Sequence, residues 1–260
     1  MRILIFCVFL LSACASKEYQ DIPNSITVDS GSFILLESEK AGFDGYFVNK
    51  RNKELLVYGL PYVNEDTMQK LGDYELLILP KDFGESRIEI TDQNLASPKL
   101  EDQKRASAEY LKVRKIIKNK TKQFDDNFEF LSPIESVITS AFGKRRFINN
   151  NERSPHMALD LRGAVGREIF ASKTGKVVLA ENHFYGGNKV ILDHGGGLFT
   201  AYSHMSEILV KPEDVIEAGT VIGFVGMTGR VTGPHLHWEV FLNGNRINPE
   251  LLVDLEYAQD

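Results

Sequence analysis

Gly226–Val240 reads GMTGRVTGPHLHWEV, and the way this stretch folds decides what the rest of the chain can be. Leu236, Trp238 and Val240 alternate with His235, His237 and Glu239, the two-residue period of a half-buried strand. Side chains two apart on a strand share a face, so both imidazoles look the same way, roughly 6.6 Å apart along the chain. Gly226, Gly229, Gly233 and Pro234 crowd the approach, which makes the strand begin abruptly and puts the histidines at its mouth. Such a pair suits a metal ion. It equally suits two solvated strand residues, so the pair alone decides nothing.

Working outward, all six histidines of the chain lie between His156 and His237. His156-Met157-Ala158-Leu159-Asp160 adds a histidine and an aspartate four apart. In a straight strand their Cα atoms sit about 13 Å apart, nearly too far to meet on one ion. The segment is therefore expected to bend, or the ion to lie at a strand end. Together with the H-x-H pair it supplies His, Asp and His and leaves one position open, the pattern of a catalytic zinc site, not of a closed structural one. No H-E-x-x-H occurs in the chain, so the glutamate base of many zinc peptidases is missing. Phe199-Thr200-Ala201-Tyr202-Ser203-His204 is expected to place Thr200, Tyr202 and His204 on one strand face, with His204 as the candidate base because its ordinary pKa lies near neutrality.

RSPHMALD, GNKVILDHGGGLFTAYSHMS, VGMTGRVTGPHLHWEV and the closing NGNRINPELL resemble the lysostaphin-like (LytM-type) zinc metallopeptidases over roughly residues 130–252. The resemblance implies that His156, Asp160 and His237 ligate zinc and that His204 and His235 are the catalytic histidines. It implies an antiparallel β-sheet peptidase domain of the barrel-sandwich hybrid type, and a hydrolase of peptidoglycan peptide cross-links, a D,D-endopeptidase cutting the D-alanyl–diaminopimelate bridge. Two departures stand out: Ala158 where the family commonly has glycine, and Ala164 where it often has proline. Neither touches a ligand position. The rival from another class is a wall-binding, non-enzymatic activator of an amidase, as in relatives that have lost zinc ligands; here all five positions are filled. A carrier or phosphocarrier domain, suggested by Glu217–Gly223, needs an exposed lysine at a hairpin tip or has no use for Asp160.

The chain of 260 residues has room for one large or two modest domains. Its net charge of -6 argues against a nucleic-acid binder. The two cysteines, Cys7 and Cys14, sit near the start, so cysteine frameworks and cysteine zinc knuckles are excluded from the body. Arg2 followed by the apolar run Ile3–Leu11 suits a secretory signal. Leu11-Ser12-Ala13-Cys14 resembles the bacterial lipobox, which implies cleavage after residue 13 and lipidation of Cys14. Ala15 and Ser16 lack the aspartate of inner-membrane retention, so the expected address is the periplasmic face of the outer membrane.

Residues 14–30 are expected to be a polar tether. Short β-rich runs between turns then predict a small antiparallel β domain over 31–96. Ser97-Pro98 is a helix-start signal, and a linking helix is expected over 97–123, its second half basic. The peptidase domain is expected over 130–253. The predicted fold is thus mainly β, with all the chemistry in its second half. His194 is expected at a turn or in support behind the site, and His183 at the surface.

Overall fold

The computed structural model describes residues 25–90 and 98–258; the signal sequence, Cys14 and Ser97 lie outside them. The first strands are β1 (Ser25–Asp29), β2 (Phe33–Glu37), β3 (Tyr46–Lys50) and β4 (Lys53–Gly59), followed by β5 (Thr67–Leu71), β6 (Tyr74–Leu79) and β7 (Glu85–Ile88). The first six form two three-stranded sheets, β1-β6-β5 and β2-β4-β3, closed on a core of Leu36, Leu56, Leu60, Leu76 and Ile78. Two expectations change here. β1 falls within the stretch read as a tether, because Ser-Ile-Thr-Val-Asp alternates and its Ile26 and Val28 pack on that core. It also pairs with β6 in parallel, so this region is not purely antiparallel.

The helix spans Leu100–Ile116, shorter than 97–123 at both ends. Lys99 precedes it in an extended conformation with no side-chain cap, and Pro98 lies outside. Beyond Ile117 the chain leaves the helix to bond elsewhere. Gly196 N–H donates to Thr121 O at 2.8 Å, and the Gln123 amide takes both polar groups of Phe47, at 2.7 and 2.9 Å. The basic face is partly used: Lys112 pairs with Glu181, and Lys120 lies 4.1 Å from the centre of the Phe43 ring. No helix among the described residues is long and apolar enough to cross a membrane.

The second half contributes β8 (Ile138–Ser140), β9 (Arg145–Ile148), β10 (Asn151–Arg153), β11 (Leu159–Arg162) and β12 (Glu168–Phe170). After them come β13 (Gly175–His183), β14 (Gly187–Gly195), β15 (Leu198–Met205), β16 (Glu207–Ile208) and β17 (Val215–Ile216). β18 (Val221–Phe224), β19 (His235–Leu242) and β20 (Asn245–Ile247) complete the set. Eight of these form one sheet, ordered β17-β13-β14-β15-β19-β11-β8 with β20 beside β19.

The two faces of this sheet differ. Leu159, Leu161, Val190, Leu192, Tyr202, Leu236, Trp238 and Val240 point into the main core, which also takes Tyr46, Val48 and Val57 from the first half. The expected N-terminal domain therefore shares a core with the peptidase half. On the other face, strand alternation divides the residues lengthwise. At one end Leu179, Ile191, Phe199, Ala201 and Phe241 lie under Val113 of the helix and Ile117 just past its end. At the other end Lys189, Ser203, His237, Glu239 and Asp160 line an open cleft.

A third, small sheet closes one side of the cleft. β7 pairs in parallel with β9, and β10 completes that sheet, with Ile88, Ile90 and Ile148 packed together. Ile88 and Ile90 belong to the stretch read as the N-terminal domain, yet both line the cleft. A boundary near residue 96 cuts through this wall.

Candidate metal centre

Asp160 on β11 and His237 on β19 are direct cross-strand partners, and such pairs hold their Cβ atoms about 5 Å apart. Their side chains meet, His237 Nδ1 lying 2.8 Å from Asp160 Oδ1. His156 comes from the irregular segment before β11, which supplies the bend the H-x-x-x-D spacing requires. Its Nε2 is 3.1 Å from Asp160 Oδ1 and 3.3 Å from His237 Nδ1. The His156 Nδ1–H donates to the Ala141 carbonyl at 3.0 Å, which leaves Nε2 unprotonated in the neutral ring.

Three donor atoms thus converge with, at most, the single proton of His237 Nδ1 among them. A cation is what such a cluster lacks. Nitrogen and oxygen donors about 2.1 Å from a tetrahedral ion lie about 3.4 Å from one another, close to the separations here. The residues fit a metal. A second set, His204, His235 and His237, also brings donor atoms within 4.8 Å of one another, but it has no carboxylate to balance the charge.

His204 and His235 stand beside this cluster. Their rings are 4.9 Å apart, and the His204 ring is 5.4 Å from that of His237. The Nδ1–H of His204 donates to Thr228 O at 2.8 Å and that of His235 to Gly233 O at 2.9 Å, so each neutral ring keeps a lone pair on Nε2. His235 Nε2 is 3.6 Å from Asp160 Oδ1.

His204 does not share the face of Thr200 and Tyr202, as strict alternation predicts. Those two side chains are buried on the core side with His194. The β14–β15 register shifts between Asn188 and Val190, and His204 takes a left-handed backbone, φ 65°. This bulge turns the imidazole into the cleft; such a conformation costs an ordinary residue roughly 1–2 kcal/mol. His194 lies in β14, not at a turn, with Nδ1–H donating to Thr174 O at 2.8 Å. His183 is buried and 3.0 Å from Glu181.

Burial pushes the Asp160 carboxyl up, but the charges and hydrogen bonds of His156 and His237 outweigh it and hold the group well below the usual carboxylate range. Burial, then the neighbouring His237 and His235, hold His204 well below 6.5, so it is a neutral acceptor at pH 7. His237 is lowered by burial against the pull of Asp160.

Glu239, Lys189, Arg146 and Arg230 line the cleft but were not singled out as site residues by the motif reading. Glu239 is the next same-face residue after His237, and Lys189 and Arg246 both bond it; continuing the H-x-H alternation by one step finds it. Arg146 and Arg230 line the cleft, and no spacing signal announces either.

Residues 154–249 match the model of peptidase family M23. The chain is 41% identical over 119 residues to the peptidoglycan DD-endopeptidase ShyA of Vibrio cholerae serotype O1, covering 45% of this chain and 28% of that protein. It is 38% identical over 112 residues to the DD-carboxypeptidase/endopeptidase Mpg of Neisseria meningitidis serogroup B, covering 43% and 26%. The chain therefore spans less than a third of the length of these relatives. A solved structure from Pseudomonas aeruginosa assigned to peptidase M23 superimposes with a TM-score of 0.69 at 27% identity, over 86% of this chain and 94% of that one.

Proposed function

We propose that this chain, whose C-terminal domain belongs to peptidase family M23, is a zinc-dependent peptidoglycan hydrolase that cuts peptide cross-links as a D,D-endopeptidase. The observation that carries the reading is the convergence of His156 Nε2, Asp160 Oδ1 and His237 Nδ1 within 3.3 Å of one another, with two further imidazoles alongside. His156, Asp160 and His237 would hold the ion. When bound, zinc supplies Lewis acidity, polarising an amide carbonyl and acidifying a water.

The chain's own residues do the rest. His204 and His235, each with Nδ1–H tied to a main-chain carbonyl, keep Nε2 for proton traffic. One accepts the proton of the attacking water as the new C–O bond forms. The other, in its imidazolium form, donates Nε2–H to the developing oxyanion, and a protonated imidazole then delivers its proton to the leaving amine as the C–N bond breaks. The names of the relatives, among them peptidoglycan DD-endopeptidases, support the substrate class.

The lipid anchor at Cys14 belongs to the same proposal and rests on the lipobox-like run alone. Anchored to the outer membrane and facing the periplasm, the enzyme would be concentrated at its polymer.

Metal analysis and digestion of cross-linked muropeptides by the purified protein test the reading. One zinc per chain and cleavage are expected. Asp160→Ala should lose both, turnover falling by about a thousandfold or more. A wild-type protein that binds wall fragments without cutting them would leave the non-enzymatic activator in its place.

A further inference from the structure

Arg146, on β9, and Arg230, on the loop before β19, line the same cavity of about 270 Å³ as Asp160, His204, His235 and His237. Among the described residues neither guanidinium belongs to an ion pair. Arg146 Nε is buried and has no hydrogen-bond partner there. Arg230 is held in place from two sides: its backbone N–H donates to Tyr185 O at 2.8 Å, and its Cζ lies 4.0 Å from the centre of the Tyr185 ring. Burial is the main influence lowering the pKa of both guanidiniums; Asp160 pulls that of Arg146 back up, and Tyr185 does the same for Arg230 against Arg146 and Arg153.

The other charges of the cavity are already answered. Lys189 is spent on Glu239, and Asp160 faces the histidines. What is left over is cationic, and a divalent ion on the cluster adds to the excess. A buried donor with no acceptor is costly, and a cation stacked on a ring presents its N–H edge outward. Both features are what a planar anion would complete, since a guanidinium matches a carboxylate with two parallel hydrogen bonds.

We infer that Arg146 and Arg230 form a subsite for a free carboxylate carried next to the scissile amide. This rests on the hydrolase reading above and narrows its substrate. In the D-alanyl–diaminopimelate bridge, the carbon bonded to the amide nitrogen carries such a carboxylate; a bridge made of glycine does not. The subsite therefore selects cross-links whose amine side is an α-amino acid with a free acid group.

The test uses a D,D-cross-linked muropeptide dimer and the same dimer with that carboxylate converted to an amide. Wild type should favour the acid by about 10- to 100-fold, in kcat/KM and in calorimetric binding to the metal-free protein. Arg146→Gln and Arg230→Gln should each cut the preference to below about threefold with bound zinc unchanged, and Arg146→Lys should restore part of it. Equal handling of acid and amide by wild type overturns the inference, as does an equal loss on both dimers in the variants, the mark of a merely structural role. Should Arg146→Gln fail to fold, Arg230→Gln on its loop gives the same readings. A wild type that binds the acid preferentially but cuts neither dimer sinks the hydrolase reading and leaves the subsite standing.

Discussion

On the floor of the cleft, Asp160 and His237 face each other across two central strands, backed by the fully buried Leu159, Leu161, Leu236 and Trp238. The wall beside it is a three-stranded patch backed by a small cluster of Ile88, Ile90 and Ile148, and its outer strand β10 is exposed at all three residues. The floor can hold donor atoms to a few tenths of an ångström because every ligand-bearing strand is fixed by neighbours on both sides. The wall has little burial behind it, the kind of region that opens locally at low free-energy cost.

That contrast can be broken by experiment. His204→Ala removes a floor imidazole held by a strained backbone, and should lower kcat by about 10²- to 10⁴-fold while bound metal is kept. A drop in metal content instead would make His204 a ligand and the division of roles wrong.

The core at the helix-covered end of the sheet, away from the floor, can be read through His194, fully buried there, whose pKa burial lowers from 6.5 to about 4. The unfolded chain takes up this proton first as pH falls through 6.5, so the stability is complete above 6.5. It is lost on the way down to about pH 4. The loss amounts to about 3 kcal/mol, seen as a falling denaturation midpoint in urea. His194→Gln can keep the bonds to Thr174 and Thr200 and should flatten the slope between pH 6.5 and 4.5; an unchanged slope would place the titrating group elsewhere.

The smallest effect is expected at the wall. Ile148→Ala loosens β9 from Ile88 and Ile90 and should raise KM by about tenfold, with kcat and zinc content near wild type. An equal fall in kcat would mean that wall and floor move as one body.

How much was legible depends on the range of each signal. The H-x-H pair was readable because a two-residue period is local and β19 keeps it without interruption. H-x-x-x-D was readable as a need for a bend, though not as a particular one. His204 was found for the wrong geometric reason: alternation put it beside Tyr202, and a bulge with φ 65° reversed it. The tether reading missed β1 because five residues of mixed polarity look like linker until a parallel partner lies beside them. The arginines and the isoleucine wall carried no signal, since β7 meets β9 across some 60 residues of chain.

The amino-acid order alone determined which donors exist, and, through strand periodicity and resemblance, that they belong to one sheet-built half of the molecule. Only the tertiary structure decided that three of them converge on a point, that the N-terminal stretch walls the cleft, and that, among the described residues, two guanidiniums there belong to no ion pair. The physical reason is that period and composition act over a few residues, whereas convergence and unpaired charge depend on which distant strands pair. Those pairings are chosen by burial summed over the whole core.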